Sequence, residues 1–79
     1  MFKRRIGVDP HLNGEFTSSS NGCPDVWELQ DGNFAVIGVK KTDELRSMLP
    51  KTASCGPDEE IVVIPRNTLV TGKKDIPDV

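Results

Sequence analysis

Few side chains in this chain of 79 residues have the chemistry of a catalytic or metal-binding group. There is one histidine, His11, and there are two cysteines, Cys23 and Cys55. A zinc site needs four ligands, usually with paired cysteine or histidine spacing, and no two of these residues have that spacing. A cysteine–histidine nucleophile pair can be drawn, but His11 follows the turn dipeptide Asp9-Pro10, which favours a solvated turn residue. The sequence therefore predicts no catalytic residue, no metal and no cofactor.

The cysteines and the first residues bear on the compartment. Two cysteines are too few for a disulfide scaffold, and a reducing cytosol would keep Cys23 and Cys55 as thiols. A single bridge between them is the alternative. Residues 1–5 begin like the basic region of a signal peptide, but only residues 6–8 are apolar before Asp9, so the expected apolar region is missing. We expect a cytoplasmic protein with two inert, largely buried thiols.

Basic side chains fall into short clusters, two of which would form one positive patch if they lie together. The patch would consist of Lys3, Arg4, Arg5, Lys40 and Lys41. Such patches supply much of the affinity of nucleic-acid-binding proteins. Against that function, the net charge is 10 − 12 = −2, and no aromatic residue is interleaved with the basic ones to stack on bases. The alternative is a solvated strand edge whose basic side chains block aggregation.

Trp27 is the only tryptophan. In a small domain it is either a structural anchor or a partly exposed residue at a protein interface, where tryptophan is enriched. Phe34 belongs to the next apolar segment, and if it shares the face of Trp27 the two form a cross-strand aromatic pair. Trp27 and Phe34 are therefore candidate interaction residues beside the five basic ones.

Length and composition favour a small binding or regulatory module over an enzyme. The chain has room for one domain, residues 1–79, and only 35% of its residues are hydrophobic. A domain of this size buries about 60% of the surface of its unfolded chain, so its stability is marginal. A deep, water-free active site would consume much of that core.

The elements that must position these residues are short. Asp31-Gly32-Asn33 between two apolar runs predicts a β-hairpin, and Thr42 followed by acidic residues predicts a helix that Pro50 ends. We predict strands over 2–8, 25–30, 34–40 and 61–65, helices over 42–49 and 66–72, a mobile serine-rich loop over 17–22, and an extended tail over 75–79. The predicted fold class is α+β: one small domain with a mainly antiparallel sheet around a central hairpin and two short helices.

The second strand of the hairpin is apolar on both faces, which predicts a central strand covered on both sides. Helix residues can cover one face only: Leu45, Met48, Leu49, Leu69 and Val70. The other face must be covered by residues 2–8, by a second copy of the chain or by a partner. We therefore expect a homodimer or a protein partner, with Trp27 at or near the contact.

A long motif resembles a group of small actinobacterial proteins of unknown function. Their shared core is G-C-P-D-x-x-E-L-x-D-G-x-F-A-V-I-G, which this chain carries from Gly22 to Gly38. The opening residues 1–7 and the closing segments 62–66, 68–70 and 74–78 are also similar to theirs. The likeness covers most of the chain and excludes the serine-rich loop and residues 51–60.

A second likeness is to a small family with the pattern S-S-x-S-x-x-x-C-V-E-V-A followed by D-G-x-V-A-V-R-D-S-K. It rests on residues 18–23, Asp31-Gly32 and Ala35-Val36, while residues 37–40 are Ile-Gly-Val-Lys in place of Arg-Asp-Ser-Lys. Proteins of that family lie beside helix-turn-helix regulators and are thought to act as their partners. The resemblance implies a role as partner of a DNA-binding transcription regulator.

Three hypotheses follow. The first is a non-enzymatic regulatory or adaptor protein that binds another protein. The second is direct nucleic-acid binding through the basic patch. The third is a small cysteine-dependent enzyme or redox protein that uses Cys23.

Overall fold

The computed structural model describes residues 1–9 and 24–77. These residues form five strands and two helices in the order β1 (Phe2–Arg5), β2 (Asp25–Leu29), β3 (Phe34–Ile37), β4 (Val39–Lys40), α1 (Thr42–Leu45), β5 (Val62–Val63) and α2 (Arg66–Gly72). Each helix continues into a 3₁₀ turn, Arg46–Met48 after α1 and Lys73–Asp75 after α2. The predicted α+β class is confirmed. His11, Cys23 and the predicted loop over 17–22 lie outside the described residues.

The first sheet is antiparallel and has the strand order β1-β2-β3. Its β2–β3 hairpin confirms the prediction from the Asp31-Gly32 turn. Gly32 has φ +93°, a conformation that favours glycine, and the Asp31 carboxylate accepts the N–H of Asn33 over 2.9 Å. The central strand of this sheet is β2. The prediction of a central strand over 34–40 is therefore wrong, because β3 lies at the edge of the sheet.

β1 contains a bulge that decides which face its first residue occupies. Arg5 lies opposite Trp27 and Arg4 opposite Glu28, but Phe2 lies opposite Leu29, so Lys3 is an extra residue in the ladder. Side chains alternate between the faces of a strand, and one added residue moves everything beyond it to the other face. The bulge thus places Phe2 on the same face as Trp27.

The buried apolar core of the described residues is small and lies on the opposite face. It consists of Ile6 and Val26, which are 3% and 5% exposed. Ile6 donates its N–H to the Val26 carbonyl over 2.8 Å and packs against Gly72 of α2, which is itself buried. We call this side of the sheet the helix face.

The second sheet pairs β4 with β5, and α1 follows β4 in the chain. α1 begins at Thr42, as predicted, and Lys41 holds the N-cap position. The buried hydroxyl of Thr42 links two segments. It accepts the N–H of Ile61 over 2.9 Å and donates to the carboxylate of Glu60. Thr42 therefore links the start of α1 to the two residues that precede β5.

Several predicted boundaries and burials are wrong. β1 ends at Arg5 rather than at residue 8, Gly38 interrupts the strand predicted over 34–40, and α1 becomes a 3₁₀ turn after Leu45. Asp75, placed in the extended tail, belongs to the last 3₁₀ turn. Met48, Leu69 and Val70, which were expected to cover one face of the hairpin, are exposed, and so are Val62, Val63 and Ile76. The helices are too short to pack a continuous apolar face against either sheet.

Candidate interaction surface

A buried carboxylate organises one end of the central strand of the first sheet. Asp25 is 5% exposed, and its carboxylate accepts hydrogen bonds from Arg5, Val26 and Trp27. Arg5 donates Nε to Oδ1 over 3.1 Å and Nη2 to Oδ2 over 3.1 Å, in a forked ion pair. The Val26 N–H and the Trp27 indole Nε1 add bonds of 3.1 Å and 2.9 Å. Because its charge is paired and its lone pairs are used, Asp25 is a structural group rather than a free acid or base.

Trp27 is held on three sides by this arrangement. Its indole N–H is bonded to Asp25, and the Arg5 guanidinium carbon lies 4.5 Å from the centre of its ring. Phe2 contacts the same ring edge to face, with ring centres 5.7 Å apart. Trp27 is half-buried. The indole is therefore fixed in one orientation with part of its surface in solvent.

Phe34 does not share the face of Trp27, so the condition for an aromatic pair between these two residues is not met. Phe34 lies opposite Glu28, so its side chain is on the helix face, whereas Trp27 lies opposite Ala35. Phe2 takes the place of Phe34 beside the indole. The sequence signal for Phe2 was weak, since a regular strand over 2–8 would put Phe2 and Arg5 on opposite faces.

The face that carries Trp27 has exposed apolar side chains on both sides of the indole. We call it the aromatic face; its residues are Phe2, Arg5, Asp25, Trp27, Leu29, Ala35 and Ile37. Phe2 is 59% exposed and Ile37 is 51% exposed. Sequence reasoning missed Phe2 and Ile37 as surface residues and missed Asp25 altogether. A charged residue at the start of an apolar strand, two positions before Trp27, was the available signal for Asp25.

Four of the five predicted basic-patch residues form ion pairs with carboxylates. Arg4 pairs with Glu28 over 2.8 Å, Lys40 with Glu60 over 3.8 Å and Lys41 with Glu44 over 3.3 Å. Arg5 pairs with Asp25 and also lies 3.6 Å from Asp9. Lys3 is the exposed bulge residue of β1. Most of the positive charge in the two clusters is thus matched within the chain.

Other chemical groups in the described part of the chain are isolated. Cys55 is a free, partly buried cysteine whose Sγ–H donates to the Glu59 carbonyl over 3.3 Å. Across residues 1–9 and 24–77, no three His, Cys, Asp or Glu side chains are grouped to hold a metal ion. No described helix combines the length and apolar composition that crossing a membrane requires.

A groove lies between the end of β1 and the last helical segment. It is lined by Gly7 and Val8 on one side and by Val70, Lys73 and Asp75 on the other. The Asp75 carboxylate accepts the N–H of Gly7 over 3.0 Å, and the Asp75 carbonyl accepts from Arg4. These bonds tie the helical segment to β1. The acid in the groove is thus engaged in holding the fold together.

No family model matches the chain, and no curated protein or solved structure is significantly similar to it. Its function must therefore be argued from its own surface.

Proposed function

We propose that this protein is a non-enzymatic regulatory or adaptor protein that acts by binding another protein through its aromatic face. The observation that carries the proposal is the exposure of Phe2 and Ile37 on either side of a half-buried Trp27. Contiguous apolar surface of this kind marks interaction sites on small proteins. Tryptophan at the centre of such a patch is the residue type most enriched among binding hot spots.

The rigidity of the indole supports this proposal. Asp25, Arg5 and Phe2 hold Trp27 in one orientation before any partner arrives. A side chain that is ordered in advance loses little conformational entropy on binding. The Arg5–Asp25 pair also satisfies its own charges, so a partner can cover the face without leaving a charge unpaired.

The finer proposal concerns the kind of partner. The resemblance of residues 18–23, 31–32 and 35–36 to small proteins found beside helix-turn-helix regulators favours a DNA-binding transcription regulator. The exposed apolar side chains of the aromatic face fit a complementary apolar helix or strand on such a protein. The positive charge that DNA would need is then supplied by the regulator rather than by this chain.

Affinity capture tests the proposal. The full chain is used as bait in its native cell extract beside two variants, Phe2→Glu on the aromatic face and Ala53→Glu in an exposed loop. We expect a specific protein to be retained by the wild type and by Ala53→Glu and lost with Phe2→Glu. Phe2 is the suitable position because it is more exposed than Trp27 and contributes no hydrogen-bonding side chain.

The captured protein is then purified and titrated against the three forms. Burying a glutamate in an apolar contact should weaken binding at least about tenfold, and the loop glutamate should leave it unchanged. Equal binding of all three forms, or capture of nothing that depends on Phe2, contradicts the proposal. Recovery of nucleic acid alone would favour the second hypothesis.

A further inference from the structure

The two neighbours of Trp27 across the first sheet differ greatly in size. Arg5 lies opposite Trp27 on β1 and Ala35 lies opposite it on β3, so all three side chains project from the aromatic face. The Arg5 guanidinium carbon lies over the indole, 4.5 Å from the ring centre, and covers one face of the ring. On the β3 side, the residue directly across the ladder contributes a single methyl group.

The other described contacts of the indole come from β1 and from β2 itself. Its N–H donates to Asp25, two residues earlier on β2, and Phe2 of β1 meets the ring with an angle of 67° between the ring planes. Trp27 and Ala35 are both partly buried, so part of each side chain is in contact with solvent. The side of the indole away from Arg5 is therefore bordered by the smallest neighbour.

Trp27, Ala35 and Ile37 form what we call the notch. Ile37 follows Ala35 by two positions on β3 and therefore lies on the same face of the sheet. An alanine methyl group is much shorter than the indole beside it or the isoleucine beyond it, so the surface is lowest at Ala35. Ile37 is 51% exposed, which continues the apolar surface of the notch along β3.

The electrostatics of the notch favour an uncharged occupant. The faces of an aromatic ring carry partial negative charge, which disfavours an anionic side chain against the indole. A cationic side chain would be repelled by the Arg5 guanidinium on the same ring. The carboxylate that bonds the indole, Asp25, is already paired with Arg5, so a second buried cation would gain no partner from it.

Given the proposed function, on which this inference rests, we infer that Ala35 determines the specificity of the aromatic face: it admits an uncharged apolar side chain of the partner protein beside Trp27. A leucine, isoleucine or methionine side chain seated in the notch contacts the indole, the Ala35 methyl group and Ile37 together, and all of them lose apolar surface to water. Binding hot spots are commonly anchor side chains seated in pockets of this kind.

Quenching of tryptophan fluorescence tests the notch without a partner. Trp27 is the only tryptophan of the chain, so the emission reports on this site alone. Trichloroethanol is a small, neutral, apolar quencher that acts on contact, whereas caesium and iodide ions are charged quenchers. With N-acetyltryptophanamide as the reference for each quencher, we expect Trp27 of the purified full chain to retain more of its sensitivity to trichloroethanol than to either ion.

A larger side chain at position 35 should close the notch. Ala35→Leu should lower the trichloroethanol quenching constant of Trp27 at least about twofold, because Arg5 already covers the other ring face. The matched control is Val36→Leu, the next residue on the opposite face of β3, which should leave the constant unchanged. If circular dichroism shows that Ala35→Leu is unfolded, Ala35→Val takes its place and should give a smaller decrease in the same direction.

The protein recovered by affinity capture is then titrated against the same variants. Ala35→Leu should weaken its binding at least about tenfold, and Val36→Leu should not. Equal quenching by trichloroethanol in the wild type, Ala35→Leu and Val36→Leu overturns the role of Ala35, whatever the capture yields. Binding that is lost with Phe2→Glu but unchanged in Ala35→Leu also overturns it and leaves the proposed function standing.

Discussion

At the scale of single residues, the buried carboxylate of Asp25 is the group that most determines the geometry of this protein. Asp25 gathers Arg5, Trp27 and the backbone of Val26 into one cluster at the start of the central strand. A buried ion pair contributes little net stability over an apolar substitute, but removal of one partner leaves the other uncompensated. The cluster therefore fixes geometry: it sets the orientation of Trp27 and, through it, the shape of the aromatic face.

Asp25→Ala should lower the free energy of unfolding by about 3 kcal/mol, because it leaves Arg5 and the Trp27 indole N–H without their acceptor. Urea denaturation followed by circular dichroism measures the change. Asp58→Ala, in an exposed loop, is the control and should stay within about 0.5 kcal/mol of the wild type. Equal stability of the two variants would show that the Asp25 cluster does not hold the sheet.

At the scale of elements, two close approaches of backbone hold the small sheets and helices together. A Cβ atom at Gly72 would lie 2.6 Å from Ile6 Cγ2, and one at Gly38 would lie 2.8 Å from the Val63 carbonyl oxygen. Both distances are shorter than real contacts. α2 therefore reaches β1, and β5 reaches the β3–β4 junction, only because these positions carry no side chain.

Gly72→Ala should be destabilising by about 1 kcal/mol. The gain in helix propensity, about 1 kcal/mol, is outweighed by an overpacking cost of about 1–3 kcal/mol against buried Ile6. Ile6→Ala removes the clashing methyl group, so in that background Gly72→Ala should become neutral or stabilising. A double-mutant cycle by urea denaturation measures this coupling. Additive effects would mean that the two residues do not touch.

Gly38→Ala should cost about 2 kcal/mol, because the added methyl group meets a backbone carbonyl that cannot rotate away. Gly56→Ala is the matched control, since its nearest neighbour is the flexible Glu59 side chain at 3.4 Å. The two variants are compared by thermal unfolding. A larger loss for Gly56→Ala than for Gly38→Ala would contradict the close packing of β5 on Gly38.

At the scale of the whole molecule, exposed apolar surface and matched charge favour a protein partner over nucleic acid. Buried apolar side chains are few among the described residues, whereas large apolar side chains are exposed on both sheets and on α2. The basic side chains that could attract phosphate are largely paired with carboxylates. For such a surface, the free energy of association is more favourable with another protein than with a polyanion.

We therefore expect no binding to DNA or RNA at about 0.15 M salt, near physiological ionic strength. A gel-shift titration with the full chain measures this. If binding is found with sub-micromolar affinity, its salt dependence should be steep and should flatten in Lys3→Ala, the one predicted patch residue on the β1 bulge. That pattern would replace the proposed function with the second hypothesis.

The sequence by itself determined two local elements of this protein, the β2–β3 hairpin and α2. Asp31-Gly32 and the flanking apolar runs were sufficient to predict the β2–β3 hairpin, because the turn chemistry and the strand pattern are set by adjacent residues. Pro65 and Gly72 likewise bounded α2 at the residues where it begins and ends. Fold class followed from the order of these elements.

Only the tertiary structure decided which surfaces meet. The bulge at Lys3 moves Phe2 to the face of Trp27, and pairing with β1 makes β2 rather than β3 the central strand. Neither follows from periodicity, since a one-residue shift reverses every face of a strand without changing its composition. The burial of Asp25 depends on Arg5, twenty residues earlier in the chain. Such long-range partners arise when the strands pair, and for that reason the aromatic face could not be predicted from the sequence.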